Sequence, residues 1–248
     1  MISKFICLSG LPRSGSTLLS AILSQNPSIH AEGNSAVCQL MWDMQQSCKG
    51  EAYEQLLAND RLQTGLELIN AIPHIYYKNV TSPIIIDKCR SWTLKPNMDL
   101  LKMCVTASPK VIVLERPIVD IVKSFVSLRI QNNYHGDPEE GLLDEWSEPI
   151  MRSWQGVKSA KENDNGEFLY IQYDDLVNNT QDVLNKIYEF CEIELFEHDL
   201  NNIVNKHPEN DGTYKLIGQH DIRPTISKRT ISVKLSDKLL ARCAELDK

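Results

Sequence analysis

Eight residues near the start of the chain, Gly10-Leu11-Pro12-Arg13-Ser14-Gly15-Ser16-Thr17, have the types and spacing to hold an anion. They follow an apolar run of strand length, Lys4-Phe5-Ile6-Cys7-Leu8, and open a helical pattern that puts Leu18, Leu19, Ile22 and Leu23 on one face. A loop so placed presents the unsatisfied backbone N–H groups of a helix N-terminus, where the helix dipole favours negative charge. Gly10 and Gly15 let the backbone approach a ligand's oxygens closely. The spacing is that of the nucleoside-triphosphate loop G-x-x-x-x-G-K-[ST], except that Ser16 stands in place of the lysine. Without that lysine the loop is poorly equipped to stabilise a β/γ-phosphate during hydrolysis. Arg13 instead offers a planar fork of donors from inside the loop. The chemistry indicated is recognition of a 5′-anion other than a triphosphate.

A second basic anchor lies about a hundred residues further on. Arg116 follows the apolar run Val111-Ile112-Val113-Leu114, and Ser124 comes eight residues later, two turns into the next helical pattern. Ligands of open α/β sheets bind beyond the carboxyl ends of the strands, which is where Arg116 would sit. The plain alternative is an internal salt bridge at Arg116.

The stretch Pro12-Arg13-Ser14-Gly15-Ser16-Thr17-Leu18-Leu19 resembles the 5′-phosphosulfate loop of sulfotransferases that use 3′-phosphoadenosine-5′-phosphosulfate (PAPS). Its likeness is nearest to the branch of protein-tyrosine and carbohydrate enzymes. The resemblance covers roughly residues 3–190 and carries several implications. PAPS would be the co-substrate and PAP the product, no metal would be needed, and the acceptor would be a hydroxyl. Arg13, Ser14, Gly15, Ser16 and Thr17 would hold the 5′ end, and Arg116 with Ser124 the 3′-phosphate. Tyr173, in Tyr170-Ile171-Gln172-Tyr173-Asp174-Asp175-Leu176, would contact the nucleotide. Lys228 and Arg229 could close over it from the tail, with solvated charge as the alternative. Lys88, in Ile86-Asp87-Lys88-Cys89-Arg90, resembles the lysine that contacts the transferring group, and with Arg13 it would stabilise the transition state.

The resemblance is less direct for the base. In the small-molecule branch a histidine follows that lysine by two positions, whereas Arg90 stands here. In the tyrosine and glycan branches the base is a glutamate shortly after the first helix. Ungapped comparison puts Asn34 at that position, and a shift of one or two residues brings in Glu32, the region's carboxylate. Glu32 is the expected base, with His30 as the alternative.

Further elements must position these groups. Pro83-Ile84-Ile85-Ile86-Asp87 reads as a buried strand and Glu167-Phe168-Leu169-Tyr170-Ile171 as a further strand, and helical patterns fill much of 35–72, 117–126, 146–161 and the stretch from Asp174. Strands alternating with helices predict an α/β fold, P-loop-like, with a central and mainly parallel sheet. One domain over 1–248 is expected, with 205–235 an irregular binding loop or lid.

Composition narrows the alternatives. A net charge of −7 disfavours nucleic acid as a partner, and no apolar run is long enough to span a membrane. Seven scattered cysteines without a C-x-x-C pair argue against a disulfide framework or a thiolate zinc site. With no leader pattern at the N-terminus, the expected location is cytoplasmic. Two other readings stay open at this level. One is a nucleotide kinase or NTPase, because Ile84-Ile85-Ile86-Asp87 resembles a magnesium-binding strand; the other is a non-catalytic PAP- or PAPS-binding protein. Peptide tyrosine, sugar, lipid and small alcohol all remain possible acceptors.

Overall fold

The computed structural model describes residues 2–145, 147–228 and 230–247. The chain alternates β1 (Lys4–Gly10), α1 (Ser16–Leu23), β2 (Ile29–Asn34), α2 (Val37–Lys49), α3 (Tyr53–Ala58), α4 (Leu62–Tyr76) and β3 (Ile84–Lys88). A 3₁₀ turn (Arg90–Thr93) leads into α5 (Lys95–Cys104), β4 (Val111–Glu115), α6 (Ile118–Gln131), α7 (Met151–Glu162) and β5 (Phe168–Gln172). Helices α8 (Tyr173–Asn178), α9 (Thr180–Cys191), α10 (Asp211–Tyr214) and α11 (Asp237–Leu246) complete it.

Among the described residues the strands form one five-stranded sheet in the order β2-β3-β1-β4-β5. Every pairing is parallel. The apolar runs of β1, β3 and β4 are buried on both faces, as strands covered by helices on each side must be. On one face Ile6, Leu8, Ile86, Ile112 and Leu114 pack with Leu19 and Ile22 of α1 and Leu184 and Ile187 of α9. On the other, Cys7, Ile85, Val111 and Val113 meet Met41, Ile69, Leu101, Phe125 and Val157 from α2, α4, α5, α6 and α7.

The order places a topological switch between β1 and β4. The chain leaves β1 toward β2 and β3 on one side, then crosses to β4 and β5 on the other. A crevice opens at such a point at the strands' carboxyl ends. There Gly10 has a φ of +117°, and a Cβ would stand 2.1 Å from the Leu114 carbonyl oxygen. Only glycine lets β1 turn into the loop this close to β4.

Three expectations change in detail. Ile29–Asn34, where the sequence pattern marks no element, is a strand at the sheet edge. Its alternation is short: Ile29 and Ala31 are buried, whereas His30 and Glu32 are half-buried. The helical stretch after Asp174 is two helices, broken at Asn179, where the Thr180 hydroxyl donates to the Leu176 carbonyl at 2.6 Å. Helix α7 starts at Met151, later than expected, because the residue before Pro149 is biased away from helical backbone; Trp146 lies outside the described residues.

Candidate active site

Each strand delivers a residue to one region at its carboxyl end. β1 leads into the Gly10–Thr17 loop, β2 ends at Asn34, β3 at Lys88, β4 runs into Arg116 and β5 into Tyr173. These residues, with Arg13, Gly15, Ser16, Thr17 and Ser124, line a cleft of about 440 Å³. Further wall comes from Phe125, Leu128 and Gln131 of α6 and from the tail, including Gln219, His220, Thr225 and Ser227.

The loop is held in an anion-binding shape. Arg13 and Gly15 have φ of 59° and 94°, and Gly15 caps α1 with no side-chain hydrogen bond to its first N–H groups. Those donors face the cleft end of the helix, where an anion is favoured. A left-handed arginine is strained backbone, maintained only where surrounding contacts over-determine it. Here Arg13 Nε donates to Ser124 Oγ at 2.9 Å, its Nη1 donates to the Gln219 carbonyl, and its own carbonyl accepts from Arg116 Nη1 at 2.9 Å. The two anchors therefore touch, although they are far apart in sequence.

Arg116 is 8% exposed and stacks over the Tyr173 ring, with the guanidinium carbon 4.3 Å from the centroid. Its Nε is buried and has no hydrogen-bond acceptor among the described residues, Asp120 standing 4.0 Å away. A buried guanidinium N–H without an acceptor is costly. Beside this cleft, a phosphate oxygen is the partner that would satisfy it.

Ser14 and Lys228 are placed differently from the expectation. Ser14 is fully buried and donates to the Leu11 carbonyl at 2.5 Å, so its hydroxyl braces the loop and does not line the cleft. Lys228 points its ammonium outward to Asp174 at 2.8 Å, with both side chains about half exposed. Arg229 lies outside the described residues.

The expected base is not brought to the cleft. Glu32 sits 3.0 Å from His30 Nε2, and His30 packs edge-on against Tyr77. A register shift between Ala31 and Asn34 parts Glu32 from the strand's end, so Asn34 arrives opposite Lys88 and Glu32 does not. A different carboxylate fills the position. Glu209, from the tail, accepts from Lys88 Nζ at 2.9 Å and from Asn34 Nδ2 at 3.1 Å. Gly33 makes the room, since a Cβ there would meet Glu209 Cγ at 2.1 Å.

Behind Glu209 stands His220, its Nε2 3.4 Å from Glu209 Oε2 and its Nδ1 2.5 Å from Asp211 Oδ1. A carboxylate at that distance requires the proton on Nδ1. Burial pushes Lys88 below the usual lysine range, and Glu209 pulls it part of the way back. Burial alone would raise Glu209, but the Lys88 ammonium and then His220 outweigh it and hold the carboxyl below its ordinary range. Glu209 and His220 carried no sequence signal beyond lying in a long polar segment.

Asp87, the candidate magnesium ligand of the kinase reading, is fully buried. It accepts from Ser35 Oγ at 2.5 Å, Tyr77 Oη at 2.7 Å and Trp92 Nε1 at 2.6 Å. Burial raises its pKa despite those donors. It is a hub between β3 and its neighbours, turned away from the phosphate loop.

A five-stranded parallel sheet with a phosphate loop, paired arginines and a strand-end lysine defines a P-loop-like group transferase. The profile described as "Sulfotransferase family" matches residues 6–198, and the chain belongs to that family; it is a sulfotransferase. No curated protein sequence matches it. Among solved structures, the sulfotransferase domain of the Synechococcus PCC 7002 olefin synthase is 20% identical, with a TM-score of 0.61, over 98% of this chain and 92% of that one. The sulfotransferase domain from the curacin biosynthetic pathway is 16% identical, with a TM-score of 0.57, over 99% and 98%. A sulfotransferase from Alicyclobacillus acidocaldarius is 12% identical, with a TM-score of 0.56, over 100% and 91%. At these identities the likeness is one of fold. No helix among the described residues is long and apolar enough to cross a membrane.

Proposed function

We propose that the chain moves a sulfuryl group from PAPS to a hydroxyl acceptor and releases PAP. The observation that carries the donor assignment is the buried, acceptor-less Nε of Arg116 beside the phosphate loop. Arg13, Gly15, Ser16 and Thr17 hold the 5′ end of the donor. Arg116 and Ser124 hold the 3′-phosphate, the group that distinguishes PAPS from ATP. Tyr173, fixed beneath Arg116, forms the wall beside the nucleotide.

The donor supplies an activated sulfuryl group, and the protein supplies positioning and charge. Lys88 and Arg13 neutralise charge growing on the sulfuryl and leaving-phosphate oxygens. The acceptor oxygen bonds to sulfur as the bond from sulfur to the leaving phosphate breaks, and its proton passes to Glu209. That carboxylate is the supported base because it already touches Lys88. His220, oriented by Asp211, holds it from behind. The whole chain acts as one domain, and 205–235 is its lid. Free cysteines throughout support a reducing compartment, the cytoplasm.

Calorimetric titration tests the donor. PAP should bind at least about tenfold more tightly than 5′-AMP, a phosphate–arginine contact being worth about 1.5–3 kcal/mol. Equal affinities, or tighter binding of ATP–magnesium, would overturn the 3′-phosphate site.

Glu209→Gln tests the base. Turnover should fall by roughly 10²–10⁴-fold with PAP affinity retained. Because Glu209 is held below the ordinary carboxylate range, wild-type kcat/KM should stay level as pH falls into that range. It should drop only below it, where the carboxylate takes up a proton. Retained turnover in the variant would place the base elsewhere.

A further inference from the structure

Beside the donor cleft lies a second chamber of about 210 Å³, with Asn34 and Arg90 in the wall common to both. It is smaller than the roughly 300–1,000 Å³ of pockets for drug-sized ligands, so it admits a small molecule or one end of a larger one. Its lining is polar: Gln39, Ser91 and Ser153 join Asn34, with Leu94 and Cys89 the apolar exceptions among the described residues.

The chamber's charges cancel in pairs except for one. Arg152 pairs with Glu148 at 3.3 Å at its rim. Lys88 pairs with Glu209 just beyond Asn34. Arg90, half-buried in the 3₁₀ turn after β3, has no hydrogen-bond or ion-pair partner for its guanidinium among the described residues. A half-buried charge without a partner is unfavourable, and a planar fork matches a carboxylate or phosphate.

We propose that this chamber is the acceptor subsite and that the acceptor is a small hydroxyl compound carrying a carboxylate or phosphate, whose anion pairs with Arg90. The inference rests on the donor occupying the larger cleft. Arg90 lies two residues beyond Lys88, so an anion held there leaves the same molecule's hydroxyl to reach past Asn34 to Lys88 and Glu209. Arg90 thus serves as a specificity residue.

The test compares glycerate, glycerol 1-phosphate and glycerol as acceptors, with PAPS as donor, at fixed ionic strength. At least one of the two anions should show kcat/KM about tenfold or more above glycerol. Arg90→Gln should collapse that ratio, a readout that a general loss of activity does not move. The more favoured anion tells carboxylate from phosphate. Equal or better use of glycerol, an unchanged ratio in the variant, or no turnover of any of the three by protein that binds PAP would overturn the anionic acceptor and leave the donor site standing. Failure to bind PAP would bring down both.

Discussion

Arg116→Ala should weaken PAP binding by about 2–5 kcal/mol, roughly thirtyfold to several thousandfold, which is the usual cost of removing one partner from a buried, hydrogen-bonded charge pair. The side chain is almost fully buried, so water cannot replace the guanidinium, and its orphaned Nε leaves a donor ready for a ligand. It also braces the phosphate loop through the Arg13 carbonyl, so 5′-AMP should weaken as well, but by less. Calorimetry with both nucleotides on wild type and variant separates the two roles. A loss for PAP far exceeding that for AMP places the 3′-phosphate on Arg116. Equal losses would reduce Arg116 to a structural brace. Arg116→Lys should fall between, keeping the charge but losing the fork and the stack on Tyr173.

Sequence alone reveals most of the scaffold because its signals are local. β1, β3 and β4 are short apolar runs, and a parallel strand covered on both faces has to be one; β5, although an edge strand, keeps the unbroken apolar run Phe168-Leu169-Tyr170-Ile171. The phosphate loop is legible for a similar reason: two glycines, an arginine and a helix start form one continuous segment. β2 is hard to read because it is an edge strand with only two buried apolar residues, Ile29 and Ala31, and its bulge cannot be deduced from residue types. That bulge decides whether Glu32 or Asn34 reaches Lys88. Ser14 shows the same limit on a smaller scale: its type suits phosphate, yet the loop's turn sends its hydroxyl to Leu11.

The carboxylate proposed as the base is hidden for a deeper reason. Glu209 lies 121 residues beyond Lys88, in a stretch with no hydrophobic period. Contacts set by the folded chain hold it in place: Asn34, Lys88, Tyr214, His220 and the space left by Gly33. The comparison that put Asn34 at the family's glutamate position points to the place beside which Glu209 sits. Asn34 hydrogen-bonds a carboxylate that arrives from the other end of the chain. The tail also supplies Gln219 and His220 to the wall of the cleft.

Lys88→Met should lower turnover by roughly 10²–10³-fold, the scale of removing one preorganised donor to developing charge, with much less effect on PAP affinity. The substitution has a second consequence that must be separated from the first. Lys88 and Glu209 are 5% and 11% exposed, so removing the ammonium strands a buried carboxylate and should cost about 3–5 kcal/mol of stability. Glu209→Gln strands the lysine in the same way. The double variant Lys88→Met/Glu209→Gln leaves neither charge unpaired and should regain much of the lost stability while turnover stays low. Thermal unfolding and single-turnover kinetics on the two single variants and the double resolve the cycle. Recovery of turnover along with stability in the double variant would mean that the pair only holds the tail in place, and Lys88 would lose its catalytic role. Recovery of stability alone would assign the ammonium to the transferring group and the carboxylate to the acceptor's proton.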